Sequence, residues 1–217
     1  MNLSKKEIIE WRGKYNYPEN EDGILNSIDS IKTADDFRNI LLRKDGILKW
    51  KGALRTKNYY QSLNSSKWQM FFDMIKSSTI EPKETVKKIV AFSKKNMSYN
   101  GKSGGIFYPV ASTIVYFFSK GNCPVIDWRA IYTLKEKGYR EKLKMIKLYH
   151  YRKNGTHQIY LDDDGWDLYF GLCNDIVKYL GIEKIGEDTP LRVLDKALWE
   201  YPDLNKEKHG EEICCKS

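Results

Sequence analysis

Gly104-Gly105-Ile106-Phe107-Tyr108-Pro109-Val110-Ala111-Ser112-Thr113-Ile114, followed by Pro124-Val125-Ile126-Asp127-Trp128-Arg129-Ala130, is the most informative stretch of this 217-residue chain. Read physically, it is a glycine turn, a helix, a short loop, and an aspartate opening a further helix. A glycine turn ahead of a helix exposes backbone N–H groups. Those can hold a phosphate oxygen, directly or through a cation, without side-chain charge. Pro109 suits a first helical turn, and the small pair Ala111-Ser112 permits close helix packing. Asp127 comes eighteen residues after Pro109, a separation that one helix and a return loop can bring back beside the turn.

Around this stretch the pattern is helical nearly throughout. Ser4 with Glu7 has capping-box spacing and predicts a helix to about Tyr15. Thr33, with Asp35 and Asp36 in the first turn, opens a helix that turns Phe37, Ile40 and Leu41 to one side. Trp68, Phe71, Phe72 and Ile75 recur at helical spacing. Further helices are expected from Pro82, from Pro109, from Asp127 to a stop at Gly138, from Gly165 to Leu180 and from Pro190 to Glu200. A basic, aromatic stretch, Lys142 to Lys153, precedes a strand or loop near His157-Gln158-Ile159-Tyr160. The expected class is all-α, one globular unit over residues 1–217. Within it, 50–138 forms a helical lobe with the hairpin and Asp127, 1–49 plus 139–205 form a second lobe, and 206–217 are a frayed tail.

Charge is unevenly distributed. Residues 32–153 carry 26 Lys/Arg against 9 Asp/Glu, whereas 154–217 carry 7 against 14, within an overall net of +8. A concentrated basic region is the electrostatic footprint of a polyanion, most often nucleic acid, although a solvated Lys-rich surface has the same composition. No apolar run reaches the roughly 18 residues of a membrane span, and Met1–Glu10 has no signal-peptide core. Cysteines 123, 173, 214 and 215 fit neither a disulfide framework nor a zinc site. The expectation is a reduced, cytoplasmic protein without a metal and without a membrane partner.

The 104–130 stretch resembles the helix-hairpin-helix (HhH-GPD) superfamily of base-excision DNA glycosylases. Their hairpin reads L-P-G-V-G-x-K-x-A, and their catalytic aspartate follows the second hairpin helix in a V-D-x-x-V-x-R context. Gly105 matches the first hairpin glycine, Val110-Ala111 match the x-A pair, and Asp127 falls at the catalytic aspartate. The likeness covers about Trp68 to Leu134. Residues Trp50 to Asn58 and Leu191 to Trp199 are also similar to segments of bacterial proteins with a P-V-A-S…D-x-R-A version of the motif. The resemblance implies a two-lobed helical glycosylase fold with DNA as partner. It implies catalysis by Asp127, and DNA contacts from Lys51, Arg55, Lys102, Gly104, Gly105, Phe107, Tyr108 and Arg129. It further implies a base pocket drawn from Trp50, Trp68 and Trp128. The implied cofactor is none beyond a monovalent cation at the hairpin.

Four departures qualify what carries over. Phe107 replaces the second hairpin glycine, which alters the phosphate grip. Arg129 stands two residues after the aspartate, where histidine is common. Pro109 occupies the position of the Schiff-base lysine of bifunctional members, so no amine nucleophile comes from it. The C-x6-C-x2-C-x5-C run of iron–sulfur members is absent, which implies no cluster. The implied activity is monofunctional: cleavage of an N-glycosidic bond to leave an abasic site, on a damaged base or a modified base of invading phage DNA (an antiphage defence role). The alternative is a non-catalytic helix-hairpin-helix DNA-binding module.

Plainer readings stand beside each residue. An Asp opening a helix is commonly an N-cap worth about 1 kcal/mol. Trp68 lies on an apolar helical stripe, which favours a core role, whereas Trp50 and Trp128 sit next to charges. Asp162-Asp163-Asp164-Gly165 fails the register of a calcium loop and reads as a turn with a helix cap. Arg192 and Asp195 read as an intrahelical pair, and His150 as a surface residue.

Overall fold

The computed structural model describes residues 3–15, 20–53, 56–100, 102–103, 106–151 and 156–204. It is mostly helical. In chain order the elements are α1 (Lys5–Lys14), α2 (Glu21–Ile28), α3 (Ala34–Leu42), α4 (Ile47–Trp50), α5 (Lys57–Tyr60), α6 (Ser65–Lys76), α7 (Pro82–Asn96), β1 (Ser98–Tyr99), β2 (Lys102–Ser103), α8 (Tyr108–Phe118), α9 (Trp128–Leu134), β3 (Lys147–Tyr151), β4 (Thr156–Tyr160), α10 (Asp163–Leu180) and α11 (Pro190–Leu204). The strands form two antiparallel ribbons, β1–β2 and β3–β4. The second includes a strand where a strand or loop was expected, near His157–Tyr160.

Most helices begin where local chemistry says they should. Ser4 with Glu7, and Thr33 with Asp36, close capping boxes. Asp162 accepts from the Gly165 N–H at 2.9 Å, as a cap and turn. The helix from Asp127 ends near Gly138, whose φ of +90° is a conformation that glycine adopts at no steric cost.

The chain divides into two compact units, Asn16–Cys123 and the pair of segments Met1–Tyr15 with Pro124–Ser217. This division differs from the expected lobes at 50–138 and 1–49 plus 139–205. The N-terminal helix joins the segment from Pro124 onward, and the boundary falls three residues before Asp127.

The Asn16–Cys123 unit is built around α8. Its residues are buried on every side, from Tyr108 through Phe117, apart from half-buried Pro109, the mark of a central helix. Its polar members are satisfied internally: the Thr113 hydroxyl donates to the Pro109 carbonyl at 2.8 Å, and that of Ser112 at 3.2 Å. Phe37 on α3 is fully buried, with ring centroids of Trp68, Phe71, Phe72 and Phe118 at 5.0–6.0 Å. Tyr116 donates to the buried Glu21 carboxylate of α2. The α2 helix was not anticipated, because Gly23 in its first turn has low helix preference.

In the other unit, α1 packs along α11, and α9 and α10 pack against α11. The Thr133 hydroxyl of α9 donates to the Leu198 carbonyl at 2.8 Å. Arg192 and Asp195 form the intrahelical pair read from their spacing, and both are buried. Asp188, also buried, accepts from Arg12 Nε at 2.9 Å, Arg12 Nη2 at 2.7 Å and Lys196 Nζ at 2.7 Å. Burial pushes this carboxyl upward, but the hydrogen bonds from Lys196 and Arg12 outweigh it and hold the pKa below the ordinary value. A depressed carboxylate contributes stability that is present above the unfolded pKa, about 3.9, and lost as pH falls through the folded value. Asp188→Asn is therefore expected to cost about 3 kcal/mol at neutral pH, because two cations lose their counter-charge. Urea unfolding at pH 7 and below pH 4 checks this: the gap between variant and wild type should narrow in acid.

Candidate functional site

The 124–127 segment enters α9 as extended chain. Its position is set from behind by Tyr169 of α10, whose hydroxyl donates to the Val125 carbonyl at 3.2 Å. Tyr169 is fully buried. Burial, then the neighbouring Cys173, Asp195 and Asp127, raise its pKa well above the ordinary phenol value, so it stays a proton donor. Burial likewise pushes the Cys173 thiol up, which makes it an inert core group.

Asp127 has extended backbone angles, and its Oδ1 accepts the Arg129 N–H at 3.0 Å. Its carbonyl takes the first helical bond, from the Ile131 N–H at 3.1 Å. The N-cap reading is therefore correct as structure. Asp127, Trp128 and Arg129 are all half-buried, while Ile126 and Ala130 on either side are fully buried. The three polar-tipped side chains are thus held on a rigid backbone at the unit's surface.

Beside the carboxylate stands a cation–aromatic ladder. Arg129 Cζ lies 3.9 Å from the Trp199 ring centroid and 5.3 Å from that of Trp128. Trp199 meets Tyr15 edge-on at 5.7 Å. Tyr15 has Arg192 Cζ at 5.0 Å and Lys196 Nζ at 5.3 Å, and its hydroxyl accepts from Arg192 Nη2 at 2.8 Å. Such stacking orients a guanidinium. Trp199 and Tyr15 were not among the expected site residues. The signal for Trp199 was present in the Leu191–Trp199 segment, but its contact with Arg129 is far along the chain.

The remaining expected residues belong to the Asn16–Cys123 unit. Lys102 lies in β2, paired with Tyr99. Between α7 and α8 the β1–β2 ribbon intervenes, so the connection is not the direct glycine turn expected. The ribbon meets α5 through a Tyr59–Tyr99 edge contact at 5.9 Å, and the turn after α5 through the Ser98 N–H, which donates to the Ser62 hydroxyl at 3.2 Å. Gly104, Gly105 and Arg55 lie outside the described residues, as do Cys214 and Cys215. Phe107 is 61% exposed between Ile106 and Tyr108, both 3%. The Ile106 N–H donates to the buried Ser93 hydroxyl at 2.7 Å, which pins the chain beneath the outward Phe107 ring. Lys51 is half-buried.

Three expectations are corrected. Trp68 is a core residue among Phe37, Tyr60 and Phe71, not part of a base pocket. Trp50 is likewise core despite its flanking lysines, with Tyr116 stacked at 6.0 Å and Phe117 edge-on at 5.1 Å. Tyr108 is buried at the start of α8 and offers no ring face to DNA. Trp128 alone of the three proposed pocket tryptophans is half-exposed.

Among the described residues, no group of three His, Cys, Asp or Glu is placed to hold a metal, and no helix is long and apolar enough to cross a membrane. Neither a family model, a curated protein nor a solved structure matches the chain.

Proposed function

We propose that the chain is a monofunctional DNA glycosylase of helix-hairpin-helix type. The observation that carries this reading is half-buried Asp127, which caps α9 immediately ahead of the Trp128–Arg129–Trp199 stack. An anion held rigidly at a surface suits the reaction, because positive charge develops on the sugar as the base leaves.

In this mechanism the target nucleotide is flipped from the helix, at a cost of a few kcal/mol. The C1′–N bond breaks and its electron pair departs with the base, which takes up a proton. Asp127 stabilises the oxocarbenium-like sugar and orients the water that adds to C1′, leaving an abasic site. Trp128 stacks on the extruded base, and Arg129, supported by Trp199, steadies it or an adjacent phosphate. The family resemblance assigns further phosphate contacts to Lys51, Lys102, Gly104 and Gly105. With Pro109 at the lysine position, the chemistry stops at hydrolysis. The substrate class is a damaged base or a modified base of phage DNA.

A second reading, a DNA-binding module without catalysis, is favoured by the cap bond of Asp127 and by the ribbon between α7 and α8. The two separate in one assay. Duplex and single-stranded DNAs carrying damaged bases, and modified phage genomes, are incubated with the protein and then treated with alkali. The glycosylase is expected to give strand breaks only after alkali. Salt-sensitive binding without breaks on any substrate would establish the binding module instead.

A further inference from the structure

We propose that Lys142, Lys144, Lys147 and Tyr160 form a second DNA-contacting surface, on the unit that carries Asp127. This rests on the reading of the protein as a DNA enzyme and adds to it an element outside the hairpin and the aspartate.

The first observation is charge segregation. Residues 129–153 carry nine Lys/Arg against two Asp/Glu, whereas the rest of that unit carries 11 against 17. A merely solubilising surface would intersperse the two signs.

The second is how the cations are used. Those on α9 and just after it are committed within the unit: Lys137 pairs with Glu7 at 2.9 Å, Arg140 pairs with Glu136 at 3.1 Å, and Arg129 stacks on Trp199. Lys142, Lys144 and Lys147 are exposed, and none makes an ion pair among the described residues. Leu143 and Ile146 between them are fully buried and anchor the segment, so the lysines project outward from a fixed backbone.

The third is the register of the β3–β4 ribbon. Lys147 faces Tyr160, and Leu148 faces Ile159. Leu148 and Ile159 are half-buried, whereas Lys147 is exposed and Tyr160 is 46% exposed. The outward face therefore sets an aromatic ring directly across from an uncommitted amine. Amines that neutralise phosphates, next to an aromatic that offers a stacking face to any base, are the elements of sequence-tolerant nucleic-acid binding.

The full-length chain, with Lys142, Lys144 and Lys147 all changed to alanine, tests this by DNA binding as a function of salt. Loss of three phosphate contacts is expected to lower the slope of log K against log salt by about 2.7 on duplex DNA, and to weaken binding on the order of 100-fold near 0.1 M salt. Tyr160→Ala is expected to weaken binding about tenfold with the slope unchanged. Lys178→Ala with Lys184→Ala, in the acidic part of the same unit, should leave the slope as it is. Circular dichroism establishes that each variant is folded. An unchanged slope in the triple variant overturns the inference while the glycosylase reading stands. Equal binding of phosphatidylserine vesicles and DNA by the wild type overturns the assignment to DNA. Absence of DNA binding by the wild type overturns both readings.

Discussion

Asp127→Asn is expected to leave the fold intact and reduce base release on the order of 10³-fold. The two halves of this expectation have separate physical grounds. Asparagine is about as good an N-cap as aspartate, so it can accept the Arg129 N–H that Oδ1 accepts now. Stability should change by less than about 0.5 kcal/mol. The neutral amide cannot stabilise a developing cation, and a lost electrostatic contact of this kind typically costs 10²–10³-fold or more. DNA affinity should be retained. A variant that melts as the wild type does, binds DNA and still turns over would reduce Asp127 to a cap.

Phe37→Ala is expected to have the largest effect on stability. The ring is fully buried and touches the aromatic cluster of α6 and the end of α8 on several sides. Removing it costs the transfer free energy of a phenyl group plus that of a cavity that rigid neighbours cannot fill. About 4 kcal/mol is expected, within the 3–5 kcal/mol range for such truncations. Typical domains are stable by only about 5–15 kcal/mol, so the loss is a large share of what holds the Asn16–Cys123 unit folded. Urea unfolding followed by tryptophan emission checks this, since Trp68 lies in the same cluster. A loss below about 1 kcal/mol would mean that the cluster repacks and does not organise the unit.

How much was legible in the sequence follows from how local each interaction is. The capping boxes at Ser4 and Thr33, and the caps at Asp127 and Asp162, join residues two or three apart and could be read directly. So could the Arg192–Asp195 pair and the stop at Gly138. Burial of Trp50 was not legible. Its neighbours Lys49 and Lys51 suggest a surface, and only α8, distant in the chain, supplies Tyr116 and Phe117 to cover it. The β1–β2 ribbon was hidden because Ser98, Asn100, Gly101 and Ser103 have low strand preference; the turn is held by Asn100 at φ +51°. Trp199 could be seen as part of a patterned helix, but its place over Arg129 depends on how α9 and α11 pack. The candidate carboxylate was thus visible from its position before a helix, and the aromatic ladder beside it required tertiary structure.

On the proposed reading, the chain hydrolyses an N-glycosidic bond and goes no further. The most direct measurement is mass-spectrometric detection of free base released by the wild type from damaged and phage-modified DNAs, counted against alkali-labile sites in the same samples, with Asp127→Asn as the blank. The expected result is one free base per alkali-labile site, intact strands before alkali, and release from the variant lower on the order of 10³-fold. No free base from any substrate, or equal release by wild type and variant, would contradict it.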